Sequence, residues 1–82
     1  MKNVKRIIAD TFGYKESNIG ILDDVDTYEV LLEGGSDNDE EALQHINDVV
    51  DTLKEAGHEI ESSYFEHDYF TTDYVYYIEI KK

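Results

Sequence analysis

The side chains of this 82-residue chain that could do chemistry are overwhelmingly carboxylates, 20 Asp and Glu against 7 Lys and Arg. In the central segment Glu41, Asp48, Asp51 and Glu55 recur at spacings of 7, 3 and 4. That spacing gathers them on one side of an α-helix. At ~1.5 Å rise per residue the first interval covers ~10 Å, a pitch at which carboxylates can stand in for successive phosphates. An ordinary solvated helix face is the alternative reading. Exposed helices usually interleave Lys with Glu four residues apart, and here only Lys54 is available. Asp23, Asp24 and Asp26 make a second acidic group in a turn.

The other constellations are weaker. Asp37, Asp39 and Glu41 alternate like the start of a calcium loop, but the Gly and Glu required at its sixth and twelfth positions are missing. Helix capping accounts for them. His58-Glu59 and Glu66-His67-Asp68 lack the paired spacing of a zinc-binding helix and read as solvated turn residues. Ser62 and Ser63 approach His58 and His67 in sequence only, so no nucleophile has an identifiable base. Gly34-Gly35 is a turn, not a phosphate loop. The absence of Cys excludes thiol catalysis, Cys-ligated zinc and disulfide stapling. A chain this short also struggles to enclose a ligand pocket of roughly 300 Å³ or more. The expectation is a protein that is not an enzyme and takes no metal and no cofactor.

The net charge is −13. Residues 1–15 carry +3 and residues 16–80 carry −18, so the acidity belongs to the body of the chain. Direct binding to nucleic acid would be repelled, because it requires Lys and Arg to displace counterions. An anionic membrane surface is disfavoured on the same ground. No apolar run approaches the ~18–20 residues of a membrane span, and Met1 is not followed by the apolar region of a signal peptide. A cytoplasmic location is expected, in the host cell if the protein is phage-encoded. A basic protein partner would be favoured, with encounter fastest at low salt.

The elements that must position these groups follow from periodicity. Val4, Ile7, Ile8 and Phe12 form one helical stripe, predicting a helix over 2–12 that stops at Gly13, although Ile7-Ile8 also suits a strand. Lys15 to Asn18 reads as a turn. Residues 19–22 and 27–33 read as strands of a hairpin. Ser36 to Asp39 can cap a helix whose apolar positions run Ala42, Leu43, Ile46, Val49, Val50, Leu53 and Ala56, predicting a helix over 39–56 that stops at Gly57. Strands over 59–66 and 73–80, joined by a turn over His67–Thr72, complete a second hairpin. The first of them sets Ile60, Ser62 and Tyr64 against Phe65. The chain is expected to be a single acidic α+β domain over 1–82, in the order α-β-β-α-β-β, with an antiparallel sheet of about four strands and two helices on one face. Seven Tyr and three Phe supply the buried area that offsets the charge. The fold should be of modest stability, weaker in low salt. In Tyr74-Val75-Tyr76-Tyr77 both sheet faces carry Tyr, and only one can face the helices. Tyr77, with Val75 and Phe65, is a candidate for exposure and for an interface.

A small, very acidic, Cys-free α+β chain resembles the phage-encoded inhibitors that mimic DNA, among them anti-CRISPR proteins and the uracil-DNA glycosylase inhibitors. The run Glu16-Ser17-Asn18-Ile19-Gly20-Ile21-Leu22-Asp23-Asp24 is similar to the Glu-Ser-apolar-acidic edge strand that the glycosylase inhibitors lay along the enzyme's DNA cleft. The resemblance implies Glu16 and Ser17 at such a cleft, Ile19, Ile21 and Leu22 as the strand, and Asp23 and Asp24 as phosphate-like acids. The partner-binding candidates are therefore Glu16, Asp23, Asp24, Asp26, Glu41, Asp48, Asp51, Glu55, Tyr74 and Tyr77, and the expected partner is a basic nucleic-acid-binding protein. A rival resemblance lies in residues 49–61, which look like the helix-to-strand step of small ferredoxin-like, ligand-sensing domains of the ACT type. It implies a regulatory or assembly domain acting through protein–protein contacts, dimeric through its sheet edges.

Overall fold

The computed structural model describes residues 2–34, 36–70 and 73–82. Met1, Gly35, Thr71 and Thr72 lie outside these residues, and with them the expectations placed on Met1, on Gly35 and on the end of the His67–Thr72 turn. The chain forms α1 (Lys2–Phe12), a single 3₁₀ turn (Glu16–Asn18), β1 (Gly20–Asp23), β2 (Thr27–Gly34), α2 (Asp39–Glu55), β3 (Ile60–His67) and β4 (Tyr74–Lys81). It is an α+β fold with two helices and a four-stranded antiparallel sheet in the order β1-β2-β4-β3.

α2 at both ends and α1 at its C-terminal end are bounded by residues that satisfy free backbone groups. Asn38 caps α2, its Oδ1 accepting from the Glu41 N–H at 2.9 Å, and Glu41 Oε2 accepts in turn from the Asp37 N–H at 3.1 Å. At the other end Gly57 N–H donates to the Lys54 carbonyl and His58 N–H to that of Leu53, both at 3.0 Å, which closes the helix. This closure needs a positive φ, and Gly57 has 95°. Gly13 does the same for α1 with φ of 80°, its N–H reaching the Ala9 carbonyl at 2.9 Å. A Cβ on Gly57 would meet no atom within 4 Å, so only backbone strain opposes it. Gly57→Ala is expected to cost about 1 kcal/mol, read as a lower urea midpoint at unchanged slope.

One sheet face carries Val30, Leu32, Tyr74, Tyr76, Ile78 and Ile80, all buried. Against it pack Val4 and Ile8 of α1 and Ala42, Ile46, Val49, Val50 and Leu53 of α2. Burial follows the helical stripes predicted by spacing except at Leu43, 52% exposed, and Ala56, also exposed, which lie off the buried face of α2. α2 packs mainly on β3, at one edge of the sheet, and α1 packs on α2. The β3 alternation differs from expectation. A bulge lies between Ile60, which pairs with Ile80, and Ser62, which pairs with Glu79. Ile60 therefore joins the core face, whereas Ser62, Tyr64 and Glu66 share the opposite face with Tyr77 and Glu79. Phe65 pairs with Tyr76 and packs against the core, so it is not the exposed neighbour of Tyr77 that the sequence suggested. The second sheet face has neither helix on it.

Candidate acidic interface

Glu41, Asp48, Asp51 and Glu55 all sit on the outward side of α2 and are exposed. Two of them also serve the helix. Glu41 accepts from the Asp37 N–H, and Asp48 Oδ1 accepts from Gln44 Nε2 at 2.9 Å. α2 holds six acids, with Lys54 as its single base. Among the described residues the one ion pair joins Lys82 Nζ to Asp23 Oδ1. That bond raises the Lys82 pKa, and the ammonium also lies 4.7 Å above the Tyr28 ring. The clasp places a cation on one oxygen of Asp23, whose side chain is otherwise 69% exposed. Asp24 Oδ1 is engaged by the Val25 N–H at 2.8 Å, while Asp26 is exposed. Glu16 is exposed in the 3₁₀ turn before β1. β1 is an edge strand, yet Ile19 just before it is buried and Ile21 packs against the core, so of these apolar residues only Leu22, 55% exposed, is available to a partner. The β1–β2 turn and the α2 row occupy opposite edges of the sheet, so the predicted acids form separate groups.

The two predicted tyrosines separate as well. Tyr74 is buried on the core face at 2% exposure. Its ring stacks on His67 at 4.3 Å, and its hydroxyl donates to Asp39 Oδ1 at 2.6 Å. That bond, followed by burial, pushes its pKa up to about 12. Tyr74 is thus a structural residue and not a partner contact, and His67 is a half-buried stacking residue and not a solvated turn residue.

Tyr77 stands on the open face, where Tyr64 stacks on it with centroids 4.6 Å apart and planes 13° from parallel. Beyond the Thr27–Lys81 pair at one end, the register lays this face out across β2, β4 and β3 as three rows. Leu31, Tyr77 and Tyr64 form the middle row. Glu29, Glu79 and Ser62 lie on one side, and Glu33, Val75 and Glu66 on the other. Rows are ~7 Å apart along the strands and columns ~5 Å apart across them. Both hydroxyls have raised pKa values, first from partial loss of water and then from the surrounding carboxylates: Glu29, Glu66 and Glu79 about Tyr64, and Glu66, Glu29 and Glu33 about Tyr77. Tyr64 and these four glutamates were missed as site residues. Their alternation along each strand was readable, but the register that joins three strands was not.

A third cluster surrounds His45 on the inner flank of α2. Tyr14 Oη and His45 Nε2 are 2.7 Å apart, and the imidazole meets Phe12 and Tyr76 edge-on at 5.4 and 5.0 Å. Burial, then the neighbouring Tyr76, raises Tyr14 to about 12. Burial lowers the His45 pKa, partly opposed by Asp48. Because the folded value lies below the unfolded one, neutral His45 contributes stability above about pH 6.5 that is lost as pH falls through the folded value. Acidification also relieves carboxylate repulsion, but a His45→Gln variant shares that relief. The stability advantage of the parent over His45→Gln is therefore expected to shrink between about pH 7.5 and 5, measured by urea unfolding at each pH.

Among the described residues no three His, Asp or Glu side chains converge to hold a metal ion, and no helix is long and apolar enough to cross a membrane. Compared with protein-family models, with curated proteins and with solved structures, the chain finds no match in any of the three.

Proposed function

We propose that this protein is a small acidic inhibitor that occupies the basic nucleic-acid cleft of a host defence or repair protein in the cytoplasm, as the phage-encoded DNA mimics it resembles do. It acts by occupancy, without catalysis or cofactor. The observation that carries the reading is the outward side of α2, where Glu41, Asp48, Asp51 and Glu55 are exposed and none is ion-paired to a described residue. From Glu41 to Glu55 the row covers ~21 Å at ~1.5 Å per residue. Its mean spacing is thus ~7 Å, against ~3.4 Å per charge along one DNA strand. The row offers a sparser charge ladder than DNA, so apolar and aromatic contacts must supply affinity that charge alone does not.

The test uses nucleic-acid-binding proteins of a bacterial lysate held on DNA-cellulose at low salt. The protein is expected to release a discrete species, identified by mass spectrometry, that polyglutamate of matched charge does not release. No selective release, or equal release by polyglutamate, would overturn the reading.

Connectivity favours a second reading, a ferredoxin-like regulatory or assembly domain. Moving β4 to the front of α-β-β-α-β-β produces β-α-β-β-α-β, the order of that class. A stable homodimer by light scattering, with no nucleic-acid-binding protein captured, would support it instead.

A further inference from the structure

We propose that the open sheet face is an arginine-docking surface: the stacked Tyr64–Tyr77 pair receives the guanidinium of an arginine on an exposed segment of the basic partner, and the flanking glutamates bind its N–H groups. The inference rests on the reading of this protein as an acidic binder of a basic protein, and names the surface and the chemistry of the contact.

Three features single out this face. It has neither helix on it, yet it presents a stacked aromatic pair with Tyr64 47% exposed. Tyr64 is exposed and Tyr77 half-buried; tyrosines that hold each other rigid lose little conformational freedom on binding, which makes them good anchors. The pair is also bracketed by carboxylates, with Glu29 and Glu79 in one neighbouring row and Glu33 and Glu66 in the other. Ser62 Oγ donates to Glu79 Oε2 at 3.2 Å and helps orient it. Finally, the only base at an open-face position of the four strands is Lys81, at the far end of β4.

A second copy of this chain is the wrong occupant, because pairing the face with itself would bring its four glutamates against their own copies. The complementary group is a cation that also stacks. A guanidinium is planar and weakly hydrated, lies flat on an aromatic ring and presents forked N–H groups to carboxylates, whereas an ammonium is a strongly hydrated point charge. The residues of this surface span ~10 Å across β2, β4 and β3, and β1 extends the face to ~15 Å, a width that suits one segment of chain.

The probes are hexa-arginine and hexa-lysine peptides, added at low salt to the ¹⁵N-labelled full chain, with amide and tyrosine ring shifts recorded. Hexa-arginine is expected to bind roughly two- to fivefold tighter than hexa-lysine and to shift residues of β2, β3 and β4 on the open face. Tyr64→Ser should erase that preference, and Tyr64→Leu, which keeps an apolar side chain on the strand, should erase it too. Tyr64 lies on an edge strand outside the core, and the amide spectrum of each variant reports its fold. Equal affinity for the two peptides, shifts confined to α2, or open-face shifts that track protein concentration alone would overturn this proposal while leaving the acidic-inhibitor reading standing. Failure of both peptides to bind at low salt would overturn both.

Discussion

Tyr76→Ala is expected to remove about 3–5 kcal/mol of stability and to lower the melting temperature by roughly 12–40 °C. Tyr76 is 1% exposed in β4, the strand hydrogen-bonded to both β2 and β3. Its ring meets His45 edge-on at 5.0 Å, and Phe65 and Tyr74, 5.7 Å from each other, each lie 6.4 Å away. Truncation would leave a cavity touching both helices' packing, and a domain this small has few other contacts to close it. Small domains hold about 5 kcal/mol at the low end of the usual range, so the variant should keep only about 0–2 kcal/mol and be partly unfolded at room temperature. Tyr76→Phe is the informative control. It keeps the ring and loses only the bond between Oη and Ser36 Oγ at 2.8 Å, a cost of about 1 kcal/mol. Thermal and urea unfolding followed by circular dichroism measure both. A melting point within a few degrees of the parent for Tyr76→Ala would mean that the core is not organised around β4.

Replacing Glu41, Asp48, Asp51 and Glu55 by their amides should act in opposite directions on stability and on binding. The amides keep the acceptor oxygens that Glu41 and Asp48 use, and remove four of the negative charges that repel one another across a small surface. At low salt the variant is expected to melt higher than the parent, and the difference should close as salt is raised, since screening reaches ~8 Å at physiological ionic strength. Binding should move the other way. Release of a basic protein from DNA-cellulose should need roughly tenfold or more of the variant, because long-range attraction accelerates encounter by about that factor or more. A parent protein whose melting point is indifferent to salt would contradict the first expectation. Undiminished release by the variant would move the binding surface off α2.

How much of this was legible in the sequence depended on whether a feature is local. α2 was readable because Ala42, Ile46, Val49 and Leu53 repeat at helical spacing and Gly57 marks the stop. The acidic row was readable for the same reason, since a helix face is fixed by its own segment. The order α-β-β-α-β-β followed from where the periods change. β3 was misread because a bulge inserts a residue after Ile60 and exchanges the two faces from Ser62 onward, without Gly or Pro to mark it. Tyr74 was misassigned because β4 carries aromatics on both sides. The face bearing Ile78 and Ile80 is the one the helices cover, and Tyr74 goes with it. The aromatic–carboxylate surface was invisible as a unit: Glu29, Tyr64 and Tyr77 are far apart in the chain and meet only through register.

The outward side of α2 and the uncovered side of the sheet look in opposite directions, with the core between them. A pocket that grips one leaves the other free to engage something else. On the proposed reading of both surfaces the molecule is two-handed, able to bridge two positively charged surfaces at once. A scarce supply would draw such partners together into clusters, and an excess, with each hand finding its own molecule, would dissolve them again.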